Sequence, residues 1–86
     1  MPNRAGDSRT APRCRARIPI EYCAGDRIYR GAITELSSTG ACITGAWPAA
    51  ELGARIELRL PAHRRRVCSF VRPIPGGFVV RFAAPI

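Results

Sequence analysis

The segment "RCRAR" sets Arg13, Arg15 and Arg17 at alternate positions. In an extended chain, alternate side chains leave the same face, so these three would form a row of guanidinium groups. Such a row suits a ligand with more than one phosphate and with purine edges to grip, because the planar fork bonds either one bidentately. A solvated basic arm has the same composition, so the row alone does not establish a ligand. Further along, "ITELSSTG", Ile33 to Gly40, supplies three hydroxyls at Ser37, Ser38 and Thr39 and a glycine that tolerates positive φ. Backbone N–H groups in such a turn can converge on an anion or on a base edge. Ser-Ser-Thr-Gly is also an ordinary turn, and gains meaning only beside the arginine row.

Other chemistry finds little support. His63 is the only histidine and has no serine, cysteine or carboxylate near it in the sequence, and the six acidic residues are scattered. Neither nucleophilic nor general acid–base catalysis is expected. Cys14, Cys23, Cys42 and Cys68 contain no CxxC pair, so no metal site and no cofactor are expected. They are read as free thiols, several of them small core residues. "HRRR", from His63, reads as an exposed strand end rather than an auxiliary phosphate contact. Tyr29 and Trp47 read as packing residues rather than base-stacking platforms.

The frame for these residues must be small. The chain has 86 residues, a net charge of +8 and 14 basic residues, all of them arginine. Arginine grips phosphate and guanine edges in a way lysine does not, so an anionic partner is favoured over a neutral one. No apolar run approaches the roughly 20 residues that cross a bilayer, and the basic start lacks the apolar segment of a secretory signal. A cytoplasmic location without membrane insertion is expected.

The first dozen residues are almost devoid of apolar side chains, and residues 1–12 are expected to be a mobile arm. Period-two alternation then begins. "RIPIEYC" puts Ile18, Ile20 and Tyr22 on one face, "RIELRL" does so for Ile56, Leu58 and Leu60, and "GFVVRFA" for Phe78, Val80 and Phe82. With "RIYRGAITEL", "GACITG" and "RRVCSFVRPI" these make six strands, joined by turns at "AGD" and at Pro75-Gly76-Gly77. One helical turn is expected in "WPAAELG", with Pro48 near its start and Gly53 as its stop. The fold class is all-β. A closed antiparallel barrel is favoured, because so small a chain cannot easily protect the edges of two open sheets.

In this order and spacing, the two polar segments resemble the signature of PilZ domains, bacterial receptors for cyclic di-GMP. The family's RxxxR motif, just before the first strand, is matched by Arg13 and Arg17. Its (D/N)xSxxG motif is matched from Glu35 to Gly40, except that glutamate stands at the first position. "LGARIELRL" resembles the family's middle and "GGFVVRF" its closing strand. The resemblance implies a six-stranded antiparallel barrel over residues 13–86 that binds cyclic di-GMP on its outer surface. Arg13 and Arg17 would clamp guanine Hoogsteen edges and phosphates, Glu35 and Ser37 would contact a guanine, Gly40 would shape the cradle, and Arg15 would add charge. Ordering of the N-terminal arm would then relay the second-messenger signal to a protein partner, of the kind that regulates motility or biofilm.

Two alternatives stand beside this reading. One is a degenerate PilZ-like adaptor that binds a protein and no nucleotide. The other is a small basic barrel for nucleic acid, disfavoured because the strands carry no cluster of aromatics for stacking. The departure at Glu35 separates them, since its carboxylate stands one C–C bond, roughly 1.5 Å, further out than that of aspartate. The sequence given also stops at Ile86, short of the C-terminal helix many members carry, which leaves a dimer built on that helix unsupported.

Overall fold

Alternating apolar residues and β-branched side chains become strands because a pleated chain sends successive side chains to opposite faces. The computed structural model of the chain describes residues 13–48 and 50–84. The arm expected over residues 1–12 lies outside the described residues. Six strands run as β1 (Cys14–Ala24), β2 (Arg27–Leu36), β3 (Gly40–Gly45), β4 (Arg55–Leu60), β5 (Arg64–Ile74) and β6 (Gly77–Phe82). They close into a barrel in the order β1-β2-β3-β6-β5-β4, and every neighbouring pair is antiparallel. Closure pairs both edges of the sheet, which the sequence required of so small a chain.

The inward residues are those the alternation marks. Ile20, Tyr22, Ile33, Ile43, Ile56, Leu58, Phe78 and Val80 form the centre of the core, and no charged or polar side chain is buried with them among the described residues. Ile18, beside the irregular stretch of β1, and Leu60, the last residue of β4, are only partly buried against this cluster. Tyr22 stacks on Tyr29 with ring centroids 5.1 Å apart and meets Phe78 edge-on at 5.1 Å. Its hydroxyl donates to the carbonyl of Ala46 at 2.5 Å, so the one polar atom this ring brings into the core is satisfied.

Three details differ from the sequence reading. β1 begins at Cys14 rather than near Ile18, because Cys14 and Arg15 pair with Leu36 and Glu35 at the far end of β2. Trp47 is 57% exposed rather than packed in the core. No helical turn occurs among the described residues of "WPAAELG". The chain there makes a turn closed by Ala54 N–H to the Glu51 carbonyl at 2.9 Å, and Gly53 N–H donates to Phe70 of β5 at 2.7 Å. Bonding to a neighbouring strand has displaced the local helix. A tight turn at Pro61–His63 links β4 to β5, with Ala62 and His63 at φ 64° and 60°. Two successive non-glycine residues in the left-handed region mark a strained loop.

Two register shifts re-aim side chains on the outer wall. On β2 the pairing with both neighbours slips around Thr34, so that Ile33 faces the core while Glu35 faces out. On β5 it slips around Val71, so that Phe70 faces the core and Arg72 faces out. An extra residue in one strand of a pair redirects the side chains beyond it.

Cys68 supplies a test of the core. It is 2% exposed, and burial pushes its thiol from 9.0 up to about 12. The unfolded chain releases this proton near the lower value and the folded chain only near the higher one. Between those two values the unfolded state therefore binds fewer protons, and stability falls as pH rises. Urea titrations between these limits are expected to show a declining midpoint, with a shallower decline in Cys68→Ala. Burial and the adjacent Tyr29 also raise the Tyr22 hydroxyl, so some slope persists in that variant.

Candidate functional site

The shift at Thr34 creates a transverse row of outward residues. Arg15, Glu35, Cys42, Val79 and Arg72 are successive cross-strand partners from β1 through β2, β3 and β6 to β5. A cleft of about 270 Å³ lies along this row on the outside of the barrel, open to solvent. Cys42 and Val79 line it, with Arg13 and Glu35 from one flank and Arg72 and Arg81 from the other. The Ser37–Gly40 hairpin closes one end.

Within the cleft Glu35 is the hub. Its Oε1 lies 3.4 Å from Arg13 Nη1, and it accepts a hydrogen bond from the Cys42 thiol at 3.8 Å. The carboxylate is 40% exposed and the guanidinium 52%, so the ion pair belongs to the class worth at most about 1 kcal/mol. It can rearrange at little cost. Burial and the Glu35 carboxylate hold the Cys42 thiol above its ordinary 9.0, while Arg13 and Arg72 oppose the shift. Cys42 is thus a neutral thiol at physiological pH and a poor nucleophile.

The hairpin is braced from inside. Ser37 Oγ accepts from the amides of Thr39 and Gly40, each at 3.2 Å, and Ser37 N–H donates to the Gly40 carbonyl at 3.0 Å. These amides therefore do not converge on the cleft, as the turn composition had suggested they could. They hold the turn shape, and the Thr39 carbonyl accepts from Phe82 N–H at 2.8 Å, tying the turn to the end of β6. Gly40 is not at positive φ. Its role is close approach, since a Cβ there would collide with the Val80 carbonyl of the paired strand.

Of the residues singled out from sequence, Arg13, Glu35, Ser37 and Gly40 come together at this one cleft. Arg15 and Arg17 are exposed on β1 and do not line it. The pairing shift between Arg15 and Ile18 twists the start of β1, and the expected row of three guanidinium groups is not gathered at the cleft. Arg72 and Arg81 were not singled out. Arg81 could have been found from the alternation of "GFVVRF", which turns it outward between Val80 and Phe82. Arg72 could not, because only the shift at Val71 puts it on this side. No group of three metal-binding side chains occurs among the described residues, and no helix among them is long and apolar enough to cross a membrane.

The chain thus forms a closed barrel with an apolar core and a polar, arginine-flanked cleft on its outer wall. The chain belongs to the PilZ family: the PilZ domain profile matches residues 7–83. This family consists of receptor and adaptor domains of the cyclic di-GMP type, and no catalytic family is indicated. No curated protein matches the chain significantly. Among solved structures, the fold is similar to that of the Bacillus subtilis inhibitor of motility MotI/DgrA, with a TM-score of 0.64 over 93% of this chain at 16% identity. The match takes in 44% of that protein, so the present chain spans less than half its length.

Two variants test the geometry of the cleft. Gly40→Ala is expected to destabilise the barrel by about 1–3 kcal/mol in urea titration, as overpacking against a paired strand does. Glu35→Gln removes the carboxylate that raises the Cys42 thiol. Labelling of Cys42 by iodoacetamide at mildly alkaline pH, followed by peptide mass spectrometry, should then be several-fold faster than in the native chain. An unchanged rate would place the carboxylate away from the thiol.

Proposed function

We propose that this domain is a cyclic di-GMP receptor that relays the second-messenger signal to a protein partner. The observation that supports the reading is the meeting of Arg13, from the first half of the family signature, with the second half at one cleft, 3.4 Å from Glu35 and beside the Ser37–Gly40 hairpin. Arginine forks can take guanine at its O6 and N7 acceptors and can also bond phosphate. The Glu35 carboxylate is an acceptor suited to the donor edge of the same base. Binding would then exchange a weak exposed ion pair for bonds to the ligand, with Arg13 already oriented by its tether.

Size bears on how the ligand is shared between the cleft and the wall. Clefts that enclose drug-sized ligands usually hold about 300–1,000 Å³, and this one holds about 270 Å³. It has room for part of a cyclic dinucleotide rather than all of it. The remainder would extend over the wall of β1, where Arg15 and Arg17 are exposed, which gives Arg17 its role as second clamp outside the cleft. Residues 1–12 run directly into Arg13 in the sequence, and their ordering around the ligand would carry the signal to the partner. Folding of a segment on binding lowers affinity by the entropy of ordering it.

Isothermal titration calorimetry with cyclic di-GMP tests the proposal. The native chain should bind, and Arg13→Ala should weaken binding by roughly tenfold or more, the worth of a charge-assisted hydrogen bond. Arg81→Gln, from the opposite rim, should produce a smaller loss. No heat at high micromolar ligand, with no recovery in Glu35→Asp, would sink the receptor reading. It would leave an adaptor that binds protein without nucleotide.

A further inference from the structure

A second transverse row lies on the opposite side of the barrel. Arg30, Glu21, Arg59 and Arg65 are successive cross-strand partners from β2 through β1 and β4 to β5. A cleft of about 560 Å³ opens along it, lined also by Leu60, Pro61, His63 and Arg64. It shares no residue with the first cleft. Nucleotide binding at the first cleft makes no use of it.

Its charges are incompletely matched. Glu21 is shared between Arg30 and Arg59 at 3.9 Å each, both long contacts, and Arg65 reaches Glu57 at 3.4 Å. Among the described residues, Arg64 has no carboxylate within ion-pair distance, and Arg59 Nε is buried without an acceptor. A buried donor left unpaired is costly, and a better acceptor that repositions this side chain would remove the cost. The strained Ala62–His63 pair presents His63 and Arg64 at the lip of the same cleft. Strained backbone clusters at ligand clamps and switch regions, and here it adjoins Arg64.

The lining decides between classes of anion. Single-stranded nucleic acid is held by stacking as well as charge, and no tyrosine, tryptophan or phenylalanine lines this cleft. Glu21 lies within the row and Glu57 beside it, and both would repel an unbroken line of phosphates. Pro19, Leu60 and Pro61 add apolar surface to the lining. The row itself runs across paired strands, Glu21 with Arg59 and Arg59 with Arg65, so recognition along it falls to side chains. We infer that this cleft is a docking site for an acidic protein segment that carries apolar side chains between its carboxylates. Arg59, Arg64 and Arg65 bind the carboxylates, and the apolar surface of Leu60 and Pro61 takes an apolar side chain.

Fluorescence anisotropy on the full chain tests this with three labelled probes of similar length. These are a peptide alternating glutamate and leucine, its glutamine counterpart, and a thymidine oligonucleotide. The glutamate peptide should bind, more weakly as salt is raised, and the glutamine peptide should not. The double variant R59Q/R64E should lose at least about tenfold in affinity. Arg27→Gln, an exposed charge outside both clefts, should lose little. Should the double variant fail to fold by thermal melting, the exposed single variant Arg64→Glu carries the test, with a loss of several-fold expected. Equal binding of the two peptides, or unchanged affinity in the cleft variants, overturns the inference. So does absence of peptide binding, and tighter arginine-dependent binding of the oligonucleotide would make the cleft a nucleic-acid surface instead. Calorimetry reads nucleotide binding at the first cleft separately, so failure of either site leaves the other standing.

Discussion

A strand in a closed barrel has only two sides, and Glu35 is on the outer one because the register slips at Thr34. With regular alternation from Ile33, which is wholly buried, position 35 would face the core. A lone carboxylate there would be far too costly to keep charged. The shift spares the core this charge and brings Glu35 level with Cys42 of β3. The second shift, at Val71, does the same for Arg72 against Val79. The polar cleft exists because two strands break their period at matched heights on neighbouring parts of the wall.

That dependence explains what could be read from the sequence. The core was legible residue by residue, since Ile20, Tyr22, Ile56, Leu58, Phe78, Val80 and Phe82 alternate without interruption and all are buried. The barrel followed from the number and shortness of the strands. The meeting of Arg13 with Glu35 and Ser37 followed from family resemblance and not from any local rule. Register shifts are not legible in this way, because they are set by which residues pair across strands. Arg72 was therefore missed, and the arginine row at the start of β1 was expected to be straighter than it is. "WPAAELG" failed for a related reason: its backbone found partners on β5, and local propensity was overridden.

Charge is arranged differently from hydrophobicity in this molecule. The core contains no buried charge among the described residues, so the excess of arginine bears on the surface alone. The ion pairs among the described residues are all 3.4 Å or longer and at least partly exposed, and none contributes much to stability. Their effect is to hold carboxylates among cations, which keeps the arginines oriented and leaves the net field positive. A field of that sign raises the encounter rate with anions and weakens with salt. In both clefts a glutamate sits between arginines, Glu35 in one and Glu21 in the other. An anion arriving at either cleft would meet cations that are already placed but only loosely engaged.

How such a barrel could transmit a signal is constrained by its closure. All six strands are paired on both sides, and the buried residues form a single cluster. Interiors of this kind are close-packed and resist gradual deformation. Repacking the core is thus a poor route between the two clefts. The strands β2 and β5 line both clefts, with Glu35 and Arg72 toward one and Arg30, Arg64 and Arg65 toward the other, while β1 joins Arg13 at the first to Glu21 at the second. Between them on β1 lies the irregular stretch from Arg15 to Ile18. A ligand that pulled on Arg13 would act on that stretch, where the β1–β2 ladder is interrupted. Coupling carried by the barrel itself would run along these three strands, on β1 through the regular ladder from Ile18 to Ala24, and on β2 and β5 from the register shifts at Thr34 and Val71 beside the first cleft.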